Sequence, residues 1–236
     1  MGNRIANTAV IGPGVQLGKH VTIGHYAVIH ENTRIGDHVT IHEHAVVGKL
    51  PMKASNSATT RSPGNLPEAV IGPGSIIGTG SIVYRGAWLG SEVFVADLAT
   101  VRERVTVGER TIVGRGAAIE NDCSIGARCK LETNSYICAF SEIGDDVFIA
   151  PYVVTTNDNY LARSKARFGQ FKGVTIKRGG RVGAGATILP GRTIFEDGVA
   201  AAGSVVVSDV PRRMLVVGVP ARVKSEVPKE QWLENQ

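Results

Sequence analysis

Residues 71–154 read IGPGSI IGTGSI VYRGAW LGSEVF VADLAT VRERVT VGERTI VGRGAA IENDCS IGARCK LETNSY ICAFSE IGDDVF IAPYVV, with an aliphatic residue opening every group of six from Ile71 to Ile149. Four positions after each comes a small or β-branched residue, from Ser75, Ser81 and Ala87 through to Val153. Both members of each pair must face a narrow interior. A period of six matches neither the 3.6-residue repeat of a helix nor the plain alternation of an open sheet. It matches short strands joined by tight corners, with 18 residues closing one turn of a parallel β-helix.

The same period extends outward in both directions. It runs from Ile5 to Val47 and resumes from Ile176 to Ile194, then Ala200 and Val206. The hexads amount to about nine turns and, at the ~4.8 Å spacing of paired strands, a prism roughly 45 Å long. Cys123 and Cys129 fall in the small inward slot and read as packing residues. The chain thereby divides into N-terminal coils (1–47), an insertion (48–70), central coils (71–154), a basic loop (155–175), C-terminal coils (176–224) and a tail (225–236) expected to form a short helix opened by Pro228.

Composition agrees with this all-β reading. Among 236 residues there are 29 glycines, as corners recurring every six residues require, and only 6% aromatics, for which a thin triangular core has little room. A net charge of +5 is too modest for a nucleic-acid binder and suits small anionic partners. Three cysteines do not make a disulfide framework. No apolar run approaches the ~20 residues of a membrane span, and the first residues, MGNRIANTAV, lack a secretory pattern, so no membrane role is expected and the expected location is the cytoplasm.

With these repeats and the C-terminal RVGAGATILPGRTIFEDGVAAAGSVVVSDVPRRMLVVGVPARV, the sequence resembles the hexapeptide-repeat acyltransferases over nearly its whole length. The resemblance implies a left-handed parallel β-helix, a homotrimer, and acetyl coenzyme A as acyl donor lying against the C-terminal coils, with no metal. It points to Lys177, Arg178, Gly183, Ala184, Gly185, Ala202, Gly203, Pro220, Arg222 and Lys224 as coenzyme contacts, Arg222 and Lys224 for the 3′-phosphate and Pro220 near the adenine. Between Asp158 and Glu196 no acidic residue interrupts Arg163, Lys165, Arg167, Lys172, Lys177, Arg178, Arg181 and Arg192, a stretch expected to attract phosphate.

The segment from Lys130 to Tyr160, KLETNSYICAFSEIGDDVFIAPYVVTTNDNY, resembles the nucleotide-sugar N-acetyltransferases of bacterial surface-glycan pathways. That likeness implies catalytic roles for Asn134, Asn157 and Asp158 around the amine of a nucleotide-linked amino sugar. Asn134 and Asp158 are 24 positions apart, one turn plus one face, so they are expected on different corners and would meet only across two subunits. All six histidines lie in the first 44 residues, far from the coenzyme coils, which departs from the histidine base common in the family.

Positions 18 apart stack, so columns can be read. The column Gly72, Gly90, Gly108, Gly126, Gly144 is all glycine, whereas Tyr84, Arg102, Glu120, Cys138, Thr156 has none. The second must meet something other than water: a subunit contact, with Arg102 above Glu120 as an ion pair, or a substrate site in which Tyr84, Arg102, Glu120 and Glu132 bind sugar hydroxyls. Other acceptors of the same fold remain open, a hydroxyl or the amine of an amino acid. A zinc carbonic anhydrase would need three histidines from two subunits, and none follows His44 to complete the set.

Overall fold

The computed structural model describes residues 2–62 and 64–236. Nearly every strand is two residues long, and the strands stack into three sheets of 12, 10 and 9 members that form the faces of a prism, so the solenoid has about ten to twelve turns, more than the nine expected from the hexads. Face I holds strands such as Ile76–Ile77 and Phe94–Val95, face II Thr100–Val101 and Ala118–Ile119, and face III Trp88–Leu89 and Thr106–Val107. Pairing is parallel with an offset of 18: Val95 with Val113, Val101 with Ile119, Leu89 with Val107. The insertions leave this register intact, because Ile35 pairs with Ile71 and Ile143 with Ile176 across them.

The hexad pattern is the core. Ile77, Leu89, Val95, Val101, Val113, Ile119 and Leu131 are wholly buried, as are inward partners such as Ala99 and Val105. Inward hydroxyls bond to corner carbonyls instead of facing an apolar void: Ser81 Oγ donates to Gly78 O at 2.7 Å and Ser141 Oγ to Cys138 O at 2.7 Å. Burial pushes the thiols of Cys123 and Cys129 up to about 12 and about 11, so both stay protonated, and each bonds a carbonyl of the next turn, Cys138 O and Gly144 O. They pack, as the inward slot implied.

Two constraints shape the corners. A corner residue adopts a left-handed backbone, φ being 61° at Leu98, 57° at Asn134 and 59° at Tyr152, and glycine is not obligatory there. The all-glycine column is required by proximity instead: a Cβ on Gly90 or Gly144 would lie 2.9 or 2.8 Å from a backbone nitrogen of the next turn.

At the C-terminal end, Met214–Val217 and Arg222–Glu226 form an antiparallel hairpin on face I. The tail that follows makes two 3-10 turns, Lys229–Gln231 and Leu233–Asn235, and not the expected helix. The reason is tertiary: Trp232 Nε1 donates to Val227 O at 3.0 Å, Arg213 stacks on the Trp232 ring at 3.7 Å, and Leu233 N donates to Asp197 Oδ1 at 3.0 Å, which bends so short a segment. No helix among the described residues is long and apolar enough to cross a membrane.

Candidate functional site

Both insertions spring from one edge of the prism. Each begins where a face II strand ends, after Val46–Lys49 and after Val154–Thr155, and returns at the start of a face III strand, Val70–Ile71 and Thr175–Ile176. Five strand spacings separate them on face II, about 24 Å. The glycine-free column lies between them on this II–III edge, each member directly following a face II strand or, for Tyr84, closing one.

What replaces glycine here is a desolvated ionic network. Glu103 is fully buried and takes two bonds from Arg102, Nε to Oε2 at 2.9 Å and Nη2 to Oε1 at 3.2 Å. Arg102 also donates Nη1 to Glu120 Oε2 at 3.2 Å and lies 5.0 Å above the Tyr84 ring. Beside it, Arg104 grips Asp122 through Nε at 2.6 Å and Nη2 at 3.0 Å, and buried Asn121 donates to Asp122 Oδ2 at 2.7 Å. The first insertion closes over this cluster: Asn121 Nδ2 donates to Thr59 O at 3.2 Å, Arg102 Nη2 to Thr60 Oγ1 at 3.4 Å, and Arg85 Nε to Leu66 O at 3.3 Å.

The carboxylates differ electrostatically. Burial raises the pKa of Glu120, Arg102 opposes this and Glu103 adds to it, leaving the group above the usual carboxylate range. Burial also works against ionised Asp122, but the bonds from Arg104 and Asn121 outweigh it and hold that carboxyl below the usual range. Burial, helped by Glu120, pushes the Tyr136 phenol up to about 12.

The second insertion is organised by Asp158. Its carboxylate accepts the N–H of Ala162 at 3.0 Å and of Tyr160 at 2.9 Å, and pairs with Arg167 at 3.0 Å. These partners, Ala162 first, hold its pKa below the ordinary value, and they also occupy its oxygens. Asn157 donates to Ala139 O at 3.4 Å.

The residues singled out by sequence fall on separate edges. Tyr84, Arg102, Glu120, Asn157 and Asp158 share the II–III edge. Glu132 and Asn134 lie on the I–II edge, between face I strand Lys130–Leu131 and face II strand Tyr136–Ile137, so Asn134 and Asp158 occupy different corners. Gly183, Ala184, Gly185, Ala202 and Gly203 also line the I–II edge, near the C-terminal end, where Gly203 N donates to Ala184 O at 2.9 Å. Gly185 and Gly203 have φ of 66° and 68°, and a Cβ on either would meet nothing within 4 Å, so this corner is open to a thin ligand. Pro220 sits at the hairpin turn above it, and Arg222 and Lys224 are exposed on the returning strand. Lys177 and Arg178 lie on the remaining III–I edge, where Arg178 Nε donates to Asp146 at 3.3 Å.

The acid-free basic stretch is therefore not one patch. An 18-residue turn spreads it over the edges, and Arg167, Arg178 and Arg181 meet Asp158, Asp146 and Gln231. The histidines scatter likewise, His20 stacking on His38 at 4.8 Å and His44 on Tyr26 at 5.2 Å, and no cluster of three metal-ligating side chains occurs among the described residues. The reading by columns missed Glu103, Arg104, Asn121 and Asp122. The two columns after Arg102 carried the signal, Arg85–Glu103–Asn121 and Gly86–Arg104–Asp122.

A family model described as bacterial transferase hexapeptide (six repeats) matches residues 14–49 and 122–157. The dTDP-3-amino-3,6-dideoxy-alpha-D-galactopyranose 3-N-acetyltransferase of Aneurinibacillus thermoaerophilus is 38% identical over 65 residues, 26% of this chain and 34% of that protein. The galactoside O-acetyltransferase of Escherichia coli (strain K12) is 35% identical over 88 residues, 36% of this chain and 43% of that protein. The structure of a UDP-N-acetylglucosamine acyltransferase from Campylobacter jejuni overlaps 94% of this chain and 75% of that one at 22% identity, with a TM-score of 0.49. The chain spans about a third to a half of the length of the curated relatives it matches. Residues 14–49 and 122–157 are thus hexapeptide repeats of the bacterial-transferase type.

Proposed function

We propose that this chain transfers an acetyl group from acetyl coenzyme A to the amine of a nucleotide-linked amino sugar, working as a homotrimer. The observation that carries the reading is the II–III edge, where two insertions bracket a buried ionic network in place of corner glycines. A solenoid gains nothing structural from burying charge there, because the desolvation of such groups offsets their attraction. The second stretch matched by the family model, 122–157, contains Asn134 and ends on Asn157. The acetyltransferase relatives support the acyl donor, and the amino-sugar 3-N-acetyltransferase supports the acceptor.

The residues on the I–II edge fit the donor. Gly185 and Gly203 leave an open corner for a pantetheine arm, and exposed Arg222 and Lys224 offer charge to phosphate. When bound, the thioester supplies an electrophilic carbonyl and a thiolate leaving group. Donor and acceptor residues occupy different edges of one chain, so the reaction calls for two copies. Faces I and II offer apolar surface for such contact, with Phe94, Phe148, Tyr136 and Val154 exposed along them, and face III exposes Trp88 among the polar Arg34, Ser124 and Glu142.

A hydroxyl acceptor is the second reading, favoured by the likeness to the galactoside O-acetyltransferase. One assay separates the two. Thiol release from acetyl coenzyme A is followed across nucleotide-linked amino sugars, galactosides and serine, and each product is treated with hydroxylamine. Turnover with an amino sugar to a hydroxylamine-stable amide is expected; a labile ester would establish the second reading, and no thiol release with any acceptor would overturn both.

A further inference from the structure

The acyl-transfer reading leaves the proton unassigned. As the amine nitrogen bonds to the thioester carbon it must lose a proton, while the C–S bond breaks and its electron pair leaves with sulfur as a thiolate that solvent protonates. A base must have a carboxylate or imidazole with an open lone pair at the site.

From the first insertion's return through Asp158, with Glu31 and Glu68 below paired to Arg85 and Arg34, four carboxylates stand on the loop-bracketed edge, and three are committed. Glu103 is fully buried, with both oxygens bonded by Arg102. Asp122 is gripped by both Arg104 contacts and by Asn121. Asp158 is held by two backbone N–H groups and Arg167 and works as the tie of its own loop.

Glu120 differs. Only its Oε2 is bonded, to Arg102 Nη1 at 3.2 Å, while Oε1 has no hydrogen-bond partner among the described residues and the side chain remains 25% exposed. Its neighbours form a relay: Glu103 spends its charge on Arg102 Nε and Nη2, the Tyr84 ring below fixes the guanidinium plane, and only Nη1 is left to orient Glu120. A nucleophile's base oriented by a second group, itself held by a third, is a recurrent catalytic arrangement.

We infer that Glu120 is the general base of this site, accepting the acceptor's proton on Oε1, with Arg102 and Glu103 as its positioning residues. The inference rests on the acyl-transfer reading above. It agrees with the raised pKa of Glu120, which follows from burial and the added repulsion of Glu103 against the opposing pull of Arg102, with the Tyr136 phenol and Cys138 thiol of the following turn and the Cys123 thiol of its own corner all uncharged. A base must be ionised, so kcat/KM should fall as pH drops through the Glu120 pKa.

The test compares full-length wild type, Glu120→Gln and Glu103→Gln by thiol release from acetyl coenzyme A as a function of pH, using the acceptor that wild type turns over best. Glu120→Gln is expected to lower kcat about 10²–10⁴-fold and abolish the acid limb, with KM for acetyl coenzyme A unchanged. Glu103→Gln removes a charge that raises Glu120, so its acid limb should move to lower pH, which a purely structural role would not produce. Thermal melts of both variants show whether lost activity is lost fold. Should Glu120→Gln fail to fold, the Glu103→Gln limb decides alone. Glu120→Gln keeping more than about a third of wild-type kcat, or an unmoved limb in Glu103→Gln, overturns the inference and leaves the acyl-transfer reading standing. Wild type releasing no thiol with any acceptor overturns that reading and the inference with it.

Discussion

Two edges of one prism carry charges at the same 18-residue spacing and use them differently. On the III–I edge, Glu92 pairs with Arg110 and Arg128 with Asp146, side chains standing beside a column of glycines with Arg110 and Glu92 64% and 59% exposed. On the II–III edge, Arg102 with Glu120 and Arg104 with Asp122 form the same kind of pairs with 16%, 25%, 24% and 18% of their side chains exposed, and adjacent Glu103, 0% exposed, binds Arg102 beneath them. Register alone generates the ladders. What converts one of them into a buried network is an insertion folded across it, and an exposed pair contributes ~0–1 kcal/mol whereas a buried charge stripped of its partner costs several.

The sharpest break of this comparison is therefore the same truncation made on both edges. Arg102→Ala strips buried Glu103 of both its hydrogen bonds, leaving it only Arg104 Nη2 at 3.7 Å, and is expected to destabilise by about 3–5 kcal/mol, whereas Arg110→Ala should cost about 0–1 kcal/mol. Urea unfolding of both variants measures the difference. Equal, small losses would mean that water reaches Glu103 beneath the first insertion and that the two edges are alike.

The solenoid was legible because its cause is local: each hexad must turn one aliphatic and one small residue inward, and the chain repeats the instruction until the register is unmistakable. Arg102 above Glu120 was legible for the same reason and is found at 3.2 Å. The burial of Glu103 and Asn121 was not, since it depends on where residues 59–60 land, and nothing in the composition of that insertion states its destination. Asp158 shows the limit from the other side. Its neighbourhood of asparagines marks the segment as special, yet its partners, Ala162, Tyr160 and Arg167, come from a loop whose path the repeat does not dictate. The basic stretch looked like one surface because sequence distance was read as spatial distance, which a turn of 18 residues undoes.

Glycine sharpens the contrast between edges at the next level of energy. A methyl on Gly90 would lie 2.9 Å from Glu109 N, so Gly90→Ala must push successive turns apart, at about 1–3 kcal/mol. Gly203 has open space, and its Ala variant bears only the left-handed backbone, about 1–2 kcal/mol, which neighbouring corners already accommodate at Asn134 and Tyr152. Thermal melts should rank Gly90→Ala below Gly203→Ala. Calorimetry with acetyl coenzyme A should rank them in reverse, because the added methyl of Gly203→Ala would stand in the open I–II corner. Unchanged coenzyme affinity in Gly203→Ala would remove that corner from the donor site.

The smallest effect belongs to acid and salt. The bond from Arg128 holds the Asp146 carboxyl below its ordinary value, partly against burial and with help from Arg178. A carboxylate depressed in the folded state adds stability that is complete above the unfolded value of about 4 and is lost as pH falls through the folded value. Asp146→Asn should thus lower stability slightly near neutral pH, by about 0–1 kcal/mol, and the gap to wild type should close in strong acid. Salt should narrow the same gap at neutral pH, since the partners of Asp146, Arg128 and Arg178, are 41% and 66% exposed and charges open to solvent are screened within ~3 Å at 1 M. Asp122 obeys the same pH sign, but its partner Arg104 is only 24% exposed beside the first insertion, so the Asp122→Asn gap should persist further into salt. If salt narrows both gaps alike, the first insertion does not exclude water, and the II–III edge loses the one physical property that sets it apart.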